Sequence, residues 1–225
     1  MFSSWFYYLI IPFLLGIWAQ SRVTGAFRRY SQVRASSGLT GAQAAREIMD
    51  AAQIRDVDIV QINGLLGDHY DPAQKRLCLS AETYNSPSVA AIGIAAHETG
   101  HAIQHARAYA PLQLRMAIVP ITQFASQLLP IVIIGGFWFG IFGLIRLGIL
   151  VYLILALFQL ITLPVEYDAS RRAKIVLGQL GIIQPGAETA GVNAVLNAAA
   201  LTYVAAFVAA LGNLLWLLSI SNRRR

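Results

Sequence analysis

Charge is nearly missing from four stretches of the chain. Trp5 to Ala19, Met116 to Ile134, Phe137 to Leu163 and Asn193 to Ile220 are apolar runs broken by a charged residue only at Arg146. A helix needs about 17 to 25 apolar residues to cross a bilayer, so the pattern predicts three or four transmembrane helices. The first run is short and carries Pro12, and residues 1–20 are read as an N-terminal membrane helix. No positive charge precedes it and no small-x-small cleavage site is obvious, so it is expected to be an anchor and not a cleaved signal peptide. Gly135-Gly136 joins the second and third runs into a hydrophobic hairpin, residues 116–163. Arg146 lies near enough to a helix end to snorkel to the interface. The last run, within 191–225, is expected to span the membrane, to lie in its interface or to re-enter.

The polar pattern is concentrated in residues 21–115. Thr40 with Gln43 three positions later forms a capping box for a helix through about Ala52. Asp58 to Asn63 alternates polar and apolar residues, as a half-buried strand does, and Gly64 ends it. Asp68-His69-Tyr70-Asp71-Pro72 reads as a turn, and Lys75 to Leu79 as a second strand. Ser86 followed by Pro87 predicts a helix start, N-cap then first turn, for a helix over about 86–109 that stops before Pro111. The expected fold is a mainly α membrane protein with a small β-sheet.

Composition fits this picture. Of 225 residues, 56% are hydrophobic and 12% charged, where a soluble domain carries about 25% charged residues. The net charge of +6 comes largely from arginines beside the apolar runs, which points to membrane orientation and away from nucleic acid. Arg22, Arg28, Arg29 and Arg34 follow the first run, so that flank is assigned to the cytoplasm. Four crossings would leave Arg223-Arg224-Arg225 outside, against the rule, but the first loop together with Arg171, Arg172 and Lys174 outweighs them. Cys78 is the single cysteine, so there is neither a disulfide framework nor a thiolate cluster.

Three of the four histidines fall in AAHETGHAIQHA, on the helix predicted over 86–109. Residues four apart share a helix face, so His97 and His101 project side by side with Glu98 beside them. This is the HExxH arrangement, in which two neutral imidazoles bind zinc and the glutamate takes the proton of an activated water. The preceding residues 89–96 are wholly apolar, and unpaired imidazoles packed there would cost several kcal/mol unless satisfied. A catalytic zinc needs a third protein ligand. No Asp, Glu or His occurs from Arg107 to Val165, so Glu166 is the first acid after the hairpin, in the helix-and-loop segment 164–190. A hairpin that returns to the same face brings it back to the motif. Asp168 competes as a ligand, and its expected task is to hold a ligand histidine's far N–H. His105 is one turn too far along to share the ion and is expected to be a neighbour of the pocket or a satisfied histidine. His69 is either a turn residue or part of a substrate cleft.

Taken together, several short segments resemble the YugP-like neutral zinc metallopeptidases of prokaryotic membranes. They are Gly41-Ala42, Asp68 to Pro72, Leu79-Ser80, Ala95 to Gln104, Glu166 to Ala173 and Leu201-Thr202-Tyr203. The resemblance implies a gluzincin-like membrane peptidase with one zinc ion per chain. His97, His101 and Glu166 would be its ligands and Glu98 its base, as in the similar HtpX-like and CAAX-prenyl proteases with their cytosolic catalytic face. Those relatives carry Glu-x-x-x-Asp, whereas the position four after Glu166 is Ser170. The histidine-orienting role therefore stands open between Asp168 and Ser170. Tyr203 is one candidate for stabilising the oxyanion.

The expected activity is peptide-bond hydrolysis at the cytoplasmic surface of a prokaryotic inner membrane. Its partners would be the bilayer and a peptide or membrane-protein substrate, with the strand near Leu77 offering an edge for extended substrate. The alternative is a non-catalytic membrane scaffold with a structural zinc. A closed site of that kind would need His105 or Asp168 as a fourth ligand. A metal transporter would need acids inside the membrane, and the hairpin has none.

Overall fold

A computed structural model describes residues 6–64 and 67–223. Trp5 at the head of the first apolar run and Arg224-Arg225 of the basic tail lie outside the described residues. In chain order the elements are α1 (Ile11–Tyr30), preceded by a wide π-turn at Phe6–Ile10, α2 (Gly41–Ala51), β1 (Asp58–Ile62), β2 (His69–Asp71) and β3 (Arg76–Ser80). They continue with a one-turn α3 (Ala81–Asn85), α4 (Val89–Ala106), α5 (Ala110–Gln127), α6 (Leu129–Ile133), α7 (Phe142–Gln179) and α8 (Ala187–Arg223). This is a mainly α membrane protein with a small sheet. Among the described residues four helices are long and apolar enough to cross a bilayer, Phe6–Tyr30, Ala110–Trp138, Phe142–Gln179 and Ala187–Asn222.

The chain forms two compact units. One comprises Met1–Gln20, Gln113–Pro164 and Leu201–Arg225. Its helices leave large apolar side chains such as Phe13, Leu14, Phe124 and Leu157 exposed, as surfaces solvated by lipid do. Its helices meet where glycine allows close approach. A Cβ on Gly148 would lie 2.7 Å from Val132 and 3.1 Å from Leu217, and one on Gly212 would strike the Tyr8 carbonyl. Phe137 stacks on Trp216 at 5.1 Å. The hairpin turn is not at Gly135-Gly136, which sit in a π-turn, Ile134–Trp138, continuing α6. The chain reverses around Gly140, whose φ of +66° suits glycine. Gly135 and Gly136 instead make room for Leu144 and Ile145 of α7.

The other unit comprises Ser21–Leu112 and Val165–Ala200. Its core is built from Ile48, Met49, Leu77, Leu79, Ile92 and Leu196, all buried. Thr40 caps α2 through the expected box with Gln43. The sheet order is β1-β3-β2, with β3 parallel to β1 and antiparallel to β2.

Four local expectations are corrected here. His69–Asp71 is a strand and not part of a turn, because its backbone pairs with Arg76–Cys78 across a turn in which Asp71 Oδ1 accepts from Ala73 and Gln74. The strand carrying Leu77 is central and paired on both sides, so it has no free edge. The motif helix is capped by Ser88 and not Ser86. Ala35 N–H donates to the Pro87 carbonyl and Val89 N–H to Val33, which holds Pro87 in extended chain before the helix begins. Finally, α7 is one helix through Pro164, so Glu166 follows the apolar span without a break, and α1 likewise runs on through Arg22, Arg28 and Arg29. Arginine is a good helix former and nothing in that stretch interrupts the ladder.

Candidate metal centre

The apolar start of α4 is buried, and the helix carries His97 and His101 into the same interior, each 8% exposed. Their rings sit 4.9 Å apart, one turn from each other. α7 lies across α4 where a Cβ on Gly100 would stand only 2.7 Å from the Ala169 carbonyl oxygen. Glycine at position 100 therefore lets the two backbones touch. One turn before that crossing, the Glu166 carboxylate reaches the histidines, with Oε2 3.2 Å from His97 Nε2 and 3.5 Å from His101 Nε2. Glu166 is 2% exposed.

One donor atom from each of these three residues lies within 4.8 Å of the others. In a tetrahedral zinc site with bonds of about 2.0 Å, ligand atoms stand about 3.3 Å apart, so the spacing suits such an ion. The far ring nitrogens are taken by protein groups, His97 Nδ1 by Ser170 Oγ at 3.1 Å and His101 Nδ1 by Gln104 Oε1 at 3.0 Å. Both Nε2 atoms are thereby turned toward Glu166. Two imidazoles and a carboxylate, buried and oriented in this way, form a donor set that fits zinc with a position left open.

Glu98 stands beside this cluster, its Oε2 accepting from the Tyr70 backbone N–H of β2 at 3.2 Å. Burial pushes its carboxyl above the usual carboxylate range, against the opposing pull of His97 and His101. Burial disfavours the charged form of His101, but its hydrogen bond to Glu166 and the charge of Glu98 outweigh that and raise its pKa.

The other expected residues are distributed as follows. Ser170, and not Asp168, meets a histidine of the cluster directly. Asp168 is one step removed: it accepts from Gln104 Nε2 at 2.9 Å and pairs with Arg171 and Arg172. His105 Nδ1 bonds the Tyr70 hydroxyl at 2.8 Å and stays outside the cluster. Burial, with help from the charges of Asp56 and Asp71, pushes that hydroxyl's pKa up to about 12. His69 is exposed, its Nδ1 held by the Gly67 carbonyl. Tyr203 is on α8 in the membrane-helix unit. Sequence reasoning gave no role to Gln104, which is fully buried. Its spacing of three from His101 and seven from His97 placed it on their face, and that was the available signal.

A mainly α membrane protein with a His-His-Glu cluster on two crossing helices is the class that the fold and site define. The sequence matches the family described as "Putative neutral zinc metallopeptidase" over residues 5–222. The chain belongs to that family. It is 47% identical over 211 residues to the "Putative membrane protease YugP" of Bacillus subtilis (strain 168), covering 93% of each chain. No solved structure matches it.

Proposed function

We propose that the protein hydrolyses peptide bonds at the cytoplasmic face of a bacterial membrane, with His97, His101 and Glu166 holding one zinc ion per chain. The observation that carries this reading is the approach of the buried Glu166 carboxylate to both imidazoles, at 3.2 and 3.5 Å. When bound there, zinc supplies Lewis acidity, polarising a carbonyl and lowering the pKa of a water to about 7.

Glu98 is the proton carrier, taking a proton from the attacking water and handing it to the leaving amine. Burial raises its proton affinity above that of an ordinary carboxylate, the direction a proton shuttle needs. Ser170 and Gln104 hold the histidines from behind. The outer edge of β2, whose Tyr70 amide points at Glu98, is the place for an extended substrate to pair, in place of the central strand at Leu77. The arginines that follow the first span support a cytoplasmic site.

A structural zinc in a scaffold would need a fourth ligand. His105 is engaged by Tyr70, and Asp168 by Gln104 and two arginines, so the economical sources are committed elsewhere. The test is Glu98→Gln, which keeps the shape of the site and removes the base. It should retain zinc by metal analysis and lose at least about 100-fold in peptide turnover, the lower end of a general base's contribution. Undiminished turnover would refute the assignment.

A further inference from the structure

We infer that Gln104 is a positioning residue that fixes the tautomer of His101 and couples it to the turn bearing Glu166; the inference rests on the zinc reading above. Gln104 is 0% exposed, so each end of its carboxamide must be satisfied by protein. The Nε2 end lies 2.8 Å from the Val165 carbonyl oxygen and 2.9 Å from Asp168 Oδ2. The Val165 carbonyl can only accept, and Asp168 Oδ2 is already an acceptor, taking a hydrogen bond from Arg172 Nε. Two acceptors require the two protons of an NH2 group, which settles which way round the amide sits. The opposite end is then the carbonyl oxygen, 3.0 Å from His101 Nδ1. That oxygen has no proton to give, so Nδ1 must carry one.

A neutral imidazole has a single N–H. With the proton fixed on Nδ1, the neutral His101 that takes a metal presents the Nε2 lone pair, and Nε2 is the atom 3.5 Å from Glu166. Reversing the amide would set two protons against the imidazole and an oxygen against two acceptors. Ser170 imposes no such choice on His97, because a hydroxyl both donates and accepts. The network is also directional along the chain. Val165 and Asp168 bracket Glu166 on α7, so one side chain of α4 grips the turn that presents the carboxylate while setting the imidazole opposite it. Asp168 thus acts on the site through Gln104, anchored in its turn by the two arginines.

The experiment uses the full chain in detergent or nanodiscs. Zinc affinity is measured by competition with a chromophoric chelator, and ring protons are read by histidine-selective nitrogen NMR. In the wild type a slowly exchanging proton should sit on His101 Nδ1, with zinc on Nε2. Gln104→Met keeps the bulk without the acceptor and should weaken zinc by about 10- to 100-fold, the usual effect of losing a ligand's supporting bond. The Nδ1 proton should also exchange faster. Asp168→Asn should weaken zinc alone but add little on the Gln104→Met background. Zinc on Nδ1, unchanged affinity in Gln104→Met, or fully additive losses would each overturn the inference. The wild-type spectra decide even if a variant misfolds. A wild type that takes up no zinc sinks the zinc reading instead, because the Nδ1 proton is read with or without metal.

Discussion

Replacing Gly100 by alanine tests whether the contact of the two helices sets the site's geometry. An added Cβ would stand 2.7 Å from the Ala169 carbonyl oxygen and 3.2 Å from its C and Cα atoms. These are backbone atoms and cannot swing aside. Ordinary contact begins at about 3.4 Å, so α7 must retreat locally by about 0.7 Å. Glu166 lies one turn away on the same helix and moves with it, whereas a functional constellation tolerates about 0.5 Å. Overpacking costs about 1–3 kcal/mol, and removing a helical glycine returns up to about 1 kcal/mol. Net stability therefore falls only modestly, and zinc affinity is the sensitive quantity. Chelator competition on the solubilised protein should show a loss of about 10-fold or more, with thermal unfolding of the metal-free protein little changed. Gly178→Ala is the control, since a Cβ there meets nothing within 4 Å. If Gly100→Ala bound zinc as tightly as the control, the crossing would not be what positions Glu166.

Two other outcomes follow from the same geometry. Glu166→Gln replaces the anionic donor with a neutral amide and should weaken zinc by at least about 100-fold in chelator competition; wild-type affinity would remove Glu166 from the site. His101 must give up a proton when its Nε2 takes a metal, and its pKa is raised, so zinc affinity should climb as pH rises through and beyond the ordinary imidazole range. A titration monitored by chelator competition that is flat from pH 6 to about 8 would contradict this sign.

The approach of Glu166 to the two histidines was legible because acids are so scarce. With none between Arg107 and Val165, one carboxylate remained at the right place after the apolar hairpin. The spans and the capping box at Thr40 were legible from periodicity and local chemistry. Strand β2 was not, since three residues flanked by Asp and Pro carry a turn signal that pairing with β3 overrides. The path of α7 was missed at Pro164, where a proline in a long apolar helix loses one hydrogen bond without ending it. Gln104 escaped because a lone amide on a helix face declares itself only when its acceptors are known. The reversal at Gly140 was masked by the more conspicuous glycine pair just before it.

Ser170 has a consequence for the electrical balance of the interior. A carboxylate behind His97 would have added a third acidic side chain to an interior already holding Glu98 and Glu166. Asp168 is engaged elsewhere, by Gln104, Arg171 and Arg172. With a hydroxyl at position 170, the carboxylates beside the two histidines are those of Glu98 and Glu166. In a low-dielectric setting each added charge is costly to bury, so a hydroxyl behind His97 spares the interior one more.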